Sequence, residues 1–211
     1  MKRLRLAVLA SGRGSNLQSI LDECKKGTVN AEVVVVLSDK KEALALERAQ
    51  REKIPAFWLN PADFAGKKEF EEGLLEVIAE FKVDYIILAG FMRVFSPVFM
   101  RGVKVPIINI HPSLLPAFTG LDAQRQALEY GVRYSGCTVH FIDEGVDTGP
   151  IILQAVVPVY DDDTEETLSL RILQEEHQLY PKVVRLLSEG RICCKGRKVI
   201  ITGVREEKDC E

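Results

Sequence analysis

The chain's strongest constraint is a rhythm. Continuous apolar runs at residues 6–10, 33–37, 56–59 and 85–89 alternate with segments of helical periodicity at 15–26, 41–51 and 67–81. The first helical segment puts Leu17, Ile20, Leu21 and Cys24 on one face, and the third turns Phe70, Leu74, Val77 and Ile78 inward. Strands without polar alternation are buried on both faces, so the pattern predicts a parallel sheet covered by helices on both sides. Right-handed crossovers then make it an α/β, Rossmann-like, doubly wound, mainly parallel sheet.

The second half changes character. Residues 105–108 read as a buried strand ending, and 136–142 and 150–159 as two further strands joined by an acidic loop, residues 143–149. A long helix follows from about Thr164 to Ser188. Thr164 is placed as its N-cap, Glu165 and Glu166 complement its dipole, and Pro181 marks a kink or local break. Residues 191–201 look like a hairpin turning at Lys195-Gly196.

Composition excludes several classes. Across 211 residues the net charge is −3, which gives no basic footprint for nucleic acid. No apolar run approaches the roughly 20 residues of a membrane span. The opening Met-Lys-Arg-Leu-Arg-Leu-Ala-Val-Leu-Ala has a signal-like charge pattern but runs straight into a glycine loop, so it reads as the first strand. The cysteines, Cys24, Cys137, Cys193, Cys194 and Cys210, are odd in number and lack CxxC spacing. They read as plain thiols in a reducing cytoplasm, with neither zinc nor a disulfide framework.

Three motifs carry chemistry. Ser11-Gly12-Arg13-Gly14-Ser15-Asn16-Leu17 leaves the first strand and opens the first helix, where free N–H groups and the positive dipole end favour an anion. It lacks the third glycine of GxGxxG and the GK[ST] of a P-loop, which points to a single phosphate monoester. A turn with a helix cap is the plainer alternative. Next, Asn109 and His111 stand at a strand end in Asn-Ile-His-Pro, where extended alternation sends both side chains to one side. An amide N–H can stabilise an oxyanion, and a histidine can move a proton near neutral pH. Finally, Asp143, Glu144 and Asp147 of the acidic loop are candidates to orient that histidine, a solvated turn being the alternative. The loop lacks EF-hand spacing, and no second histidine stands at ligand spacing, so no metal is expected. His140, on an alternating strand, is expected to be structural, and His177 a packing residue. Gly90-Phe91-Met92-Arg93 follows another strand end and should border the same crevice, with Arg93 placed to meet a ligand carboxylate. This set suits acyl or formyl transfer through an oxyanion.

SGRGSNL, AGFMRVFSP, NIHPSLLPAF, GCTVHFIDEGVDTGPIILQ and EEHQLYP, in that order, closely resemble the folate-dependent phosphoribosylglycinamide formyltransferases over about residues 4 to 190. The resemblance implies one formyltransferase-fold domain, 1–211, with a phosphate-binding half, 1–104, and a catalytic and folate-binding half, 105–211. It implies formyl transfer from 10-formyltetrahydrofolate, a cosubstrate, to the amine of glycinamide ribonucleotide (GAR) in cytoplasmic purine synthesis. Asn109, His111 and Asp147 match the catalytic set, the carboxylate favouring the imidazolium and relaying protons. Gly14, Ser15 and Asn16 match the GAR phosphate cradle. Met92 matches a GAR contact and Glu176 the acid that holds the ribose. Lys67, Met92, Arg93, Val94, Phe95, Asn109 and the loop Asp143, Glu144, Gly145, Val146 and Asp147 match folate positions, without a metal. Leu173 stands where some members place a polar phosphate contact, and Asp122 where some carry histidine. The expected state is monomer or homodimer, with no nucleic-acid or membrane partner. Formyltetrahydrofolate hydrolase is the nearest alternative, but such relatives carry an N-terminal regulatory domain, and this chain begins at the first catalytic strand and keeps the GSN loop. Methionyl-tRNA formyltransferase would need a C-terminal RNA-binding domain, and a non-catalytic binder would not need the Asn/His/Asp set.

Overall fold

The computed structural model describes residues 2–203. A seven-stranded sheet runs in the order β3 (Ala56–Trp58), β2 (Ala31–Ser38), β1 (Leu4–Leu9), β4 (Tyr85–Leu88), β5 (Ile107–His111), β6 (Tyr134–Phe141), β7 (Ile151–Pro158). The first five are parallel, while β6 is antiparallel to both neighbours. The order in which strands are added reverses between β1 and β4, the switch point at which open α/β sheets bind ligands.

Successive residues of β1 explain the two-sided burial. Leu6 and Val8 join a core under α1 (Ser15–Lys25), α2 (Leu44–Arg51) and α6 (Glu165–Ser188). Ala7 and Leu9 join the opposite core under α3 (Lys67–Glu80) and α4 (Pro97–Gly102). All four are fully buried, as a strand sandwiched between helix layers requires. The one remaining α-helix among the described residues, α5 (Ala123–Tyr130), adds Ala127 to the first core.

Several boundaries differ from the periodicity. α2 begins at Leu44, not Lys41, because residues 40–43 form a turn and the Ala45 N–H bonds the Gly12 carbonyl at 3.2 Å. Pro181 leaves α6 a single continuous helix. The lost hydrogen bond is outweighed by a buried face that includes Leu179, Tyr180, Val183 and Val184. Thr164 caps that helix through a reciprocal bond with Thr167. α4 and α5 were not expected, although Ser96-Pro97, an N-cap followed by proline at the first helical position, signals α4. The hairpin is present as β8 (Ile192–Lys195) and β9 (Lys198–Ile201). Burial pushes the Cys24 thiol up to about 11 and Cys137 to about 12, which makes both inert. Cys193 and Cys194 are exposed free thiols, and Cys210 lies outside the described residues.

Candidate active site

The strand carrying Asn109 and His111 runs further than its apolar pattern suggests. Both residues lie inside β5, not beyond it, because Asn109 pairs with His140 and His111 with Thr138 of the antiparallel β6. The expected alternation holds: both side chains line a cavity of about 390 Å³. The loops after β4 and β6 close it, contributing Gly90 to Phe95 on one side and Asp143, Gly145, Val146 and Asp147 on the other.

Asp147 is the centre of the polar cluster. Its Oδ2 accepts the Gly120 N–H at 2.8 Å and lies 3.3 Å from His111 Nδ1. Its Oδ1 lies 3.7 Å from His140 Nε2. The other nitrogen of His111, Nε2, is 2.8 Å from the Phe118 carbonyl. A carbonyl only accepts, so Nε2 carries a proton, and Nδ1 is the nitrogen turned toward the carboxylate. His111 is buried, and the Asp147 side chain is only 12% exposed. The local dielectric is therefore low, and water screens the two groups from each other little.

His140 has more to do than sequence reasoning assigned. It is fully buried, and its Nδ1 sits 2.9 Å from the Phe141 carbonyl, so that nitrogen is the donor. Burial holds its pKa below the ordinary histidine value, with the Phe141 bond opposing. In the neutral ring Nε2 is an acceptor, and Asn109 Nδ2 reaches it at 3.4 Å. That contact sets the Asn109 amide plane and leaves its second N–H for a ligand. The role is structural in kind, but it touches two members of the expected set. The register Asn109 opposite His140 created it, and register across two distant segments is not written in either one.

The backbone around this cluster is unusual. Phe118, Asp122 and Asp147 are non-glycine residues with left-handed φ of 54°, 57° and 54°. Each such residue costs on the order of 1 kcal/mol or more, and such outliers gather at working sites. Asp122, given no role in the sequence, lines the cavity and pairs with Arg125.

The remaining expected residues fall in two further places. Gly14, Ser15, Asn16 and Glu176 do not line this cavity. They meet where α1 starts beside α6. Gly14 takes a left-handed φ of 67°, and a Cβ there would come within 2.7 Å of the Ala45 backbone. No side chain caps α1, so its first N–H groups are available to an anion. Asn16, expected as a phosphate donor, gives one of its two amide N–H groups to Glu176 Oε2 at 2.7 Å. Burial raises the Glu176 pKa and that bond partly offsets the rise. Leu173 is half-buried on the same helix and offers no polar atom.

Lys67 lines a smaller cavity of about 270 Å³ with Phe70, Glu71 and Arg93 to Phe95, so the two cavities share residues 93 to 95. Arg93 does not reach out unassisted. Its Nε bonds buried Asp39 at 2.9 Å, and its guanidinium lies over Phe70. Ser11 Oγ donates to the same Asp39 at 2.6 Å and accepts the Met92 N–H at 3.0 Å. Asp39 thus ties the glycine loop to the loop after β4, a role no local pattern announced. Met92 is largely exposed at the cavity rim. Glu144 turns outward to Arg101 at 3.8 Å and does not line the cavity.

A family model described as formyl transferase matches residues 4–184. The chain belongs to the formyl transferase family. Among solved formyl transferases, the glycinamide ribonucleotide transformylase 1 of Symbiobacterium toebii is 50% identical with a TM-score of 0.92, and the match covers 95% of this chain and 94% of that one. The phosphoribosylglycinamide formyltransferase of Escherichia coli is 41% identical over 189 residues, 90% of this chain and 89% of that protein. A trifunctional purine biosynthetic protein, adenosine-3, of Drosophila melanogaster is 47% identical over 191 residues. This formyl transferase chain spans 14% of that relative's length.

Proposed function

We propose that this chain transfers the formyl group of 10-formyltetrahydrofolate to the primary amine of GAR, giving formyl-GAR and tetrahydrofolate in purine biosynthesis. The observation that carries this reading is the convergence of Asn109, His111 and Asp147 on one cavity bordered by the loops after β4 and β6. The names of the relatives in Symbiobacterium toebii and Escherichia coli support the same substrate.

In this reading the folate lies in the 390 Å³ cavity against Met92 to Phe95 and the loop 143–147. GAR is anchored by its phosphate at the N-terminus of α1, through Gly14, Ser15 and Asn16, and by its ribose at Glu176. The amine lone pair attacks the formyl carbon, and the carbonyl electrons move onto oxygen. The free Asn109 N–H meets that oxyanion, and the positive charge of a protonated His111 lies beside it. In that ring Nε2 is committed to Phe118 and Nδ1 faces Asp147. Asp147 holds the imidazolium and takes part in moving the amine proton to folate N10 as the carbon–N10 bond breaks. Protein groups meet each charge that develops, and the reaction is drawn without a metal. The whole of 1–211 acts as one cytoplasmic catalytic domain, in which residues 1–104 form the phosphate-binding half and 105–211 the catalytic and folate-binding half.

The deciding assay follows tetrahydrofolate release from 10-formyltetrahydrofolate with and without GAR. Release should require GAR and match formyl-GAR one for one. Release at the same rate without GAR would make the chain a hydrolase and end this reading.

A further inference from the structure

The hairpin β8–β9 begins beyond the residues that the family model matches, which end at 184. Its base is fixed to the body of the molecule. Ile192 and Val199 pack against the core under α6, and the Arg191 N–H bonds the Leu186 carbonyl at 3.0 Å. Its turn therefore has a defined position. From that turn Arg197 reaches back across the surface, and its Nη2 donates to the Thr148 carbonyl at 2.8 Å.

Thr148 is the residue directly after Asp147. The loop around them is folded mainly on itself: Asp143 Oδ1 accepts from the Gly145 N–H at 3.1 Å and from Thr148 Oγ at 2.6 Å. Asp147 sits in that loop with a left-handed backbone, which only a held peptide chain sustains. Gly149 closes the far end so tightly that any Cβ would run into the Phe141 carbonyl. Apart from the contacts of the Asp147 carboxylate itself, Glu144 links the loop to the rest of the chain through an exposed ion pair with Arg101, a kind of contact worth little in water.

We propose that Arg197 is a positioning residue for Asp147, acting through the Thr148 carbonyl, so that the C-terminal hairpin fixes the carboxylate against His111. The guanidinium holds the Thr148–Gly149 peptide in one orientation, and this limits how far the preceding residue can swing. The inference rests on the role given to Asp147 above.

The test uses the full chain with GAR and 10-formyltetrahydrofolate. Arg197→Ala should lower kcat by about 5- to 10-fold, the scale of a small misplacement of a reacting group, with the KM for GAR unchanged. Arg197→Lys, which keeps a donor, should stay within about twofold of the parent, and so should the hairpin control Lys195→Ala. In an Asp147→Asn background, Arg197→Ala should cost nothing more. An equal loss in that background, or an equal loss in Lys195→Ala, would overturn the proposal. Hydrogen exchange at the Gly120 amide, which bonds Asp147 Oδ2, gives a readout that needs no substrate. It should quicken in Arg197→Ala, and unchanged exchange would also overturn the proposal. If the parent chain fails to formylate GAR while the Gly120 exchange responds, the functional reading falls and the positioning contact stands.

Discussion

The two sites that the proposed reaction would use are built in opposite ways. At the start of α1 the backbone is regular. The single left-handed residue is Gly14, where a side chain has no room, and the helix presents uncapped N–H groups. Around Asp147 the left-handed residues carry side chains, Phe118, Asp122 and Asp147, and the polar atoms come from β5, β6 and two loops. In the proposed reading the first arrangement is an anchor, made from one strand, one turn and the start of α1, with Glu176 of α6 beside it. The second is an assembly whose members are far apart in the chain. An anchor tolerates small errors because a phosphate meets several donors, whereas a reacting centre does not.

The sharpest way to break that contrast is Asp147→Asn. It keeps the size and the Gly120 bond but removes the charge beside His111, and kcat should fall by about 10²-fold or more. Saturating kinetics should show the loss in kcat with little change in the KM for GAR. An unchanged kcat would remove Asp147 from the chemistry. His140→Ala should come next, with a loss of about 10-fold in kcat, since Asn109 then loses the contact that sets its amide. His140 also affects pH stability. Its folded pKa lies below the unfolded one, so the unfolded chain binds the proton first, and stability falls as pH drops below about 6.5 toward the folded value. Denaturant melts across that window should flatten in His140→Ala relative to the parent.

At the anchor, Ser15→Ala should raise the KM for GAR by a few-fold and spare the folate KM. The reverse split would mean that the two subsites are exchanged. Glu176→Gln gives the smallest effect and the most instructive one. Burial raises the folded pKa of Glu176 above its unfolded value, so stability is lost as pH rises through that interval, and above it the buried charge is a cost. The glutamine keeps an acceptor for Asn16, so the Tm at pH 7 should rise by a few degrees while GAR binds less well. A lower Tm would show that the carboxylate stabilises its surroundings.

Local signals explain what was legible. The glycine loop, the capping threonine of α6 and the two-sided strands each depend on neighbours in sequence, and each is found where its pattern stands. Asn109 and His111 share a face because a strand alternates. Asp39, His140 and Arg197 gave no such signal. Asp39 matters because Ser11 and Arg93 converge on it from different loops, His140 because of its register opposite Asn109, and Arg197 because a hairpin folds back onto residue 148. Composition of the loop did not separate Glu144, which turns outward, from Asp147, which turns inward, since both are acids of one loop; only the family resemblance singled out Asp147.

The sequence by itself determined the parallel sheet, the anion-ready start of α1 and the pairing of Asn109 with His111, because burial and alternation are short-range properties of a chain. Only the tertiary structure decided which nitrogen of His111 faces the carboxylate and what holds that acid in place. Those outcomes depend on hydrogen bonds to Phe118, Gly120 and Thr148, and such partners are chosen by the fold and not by the residues beside them.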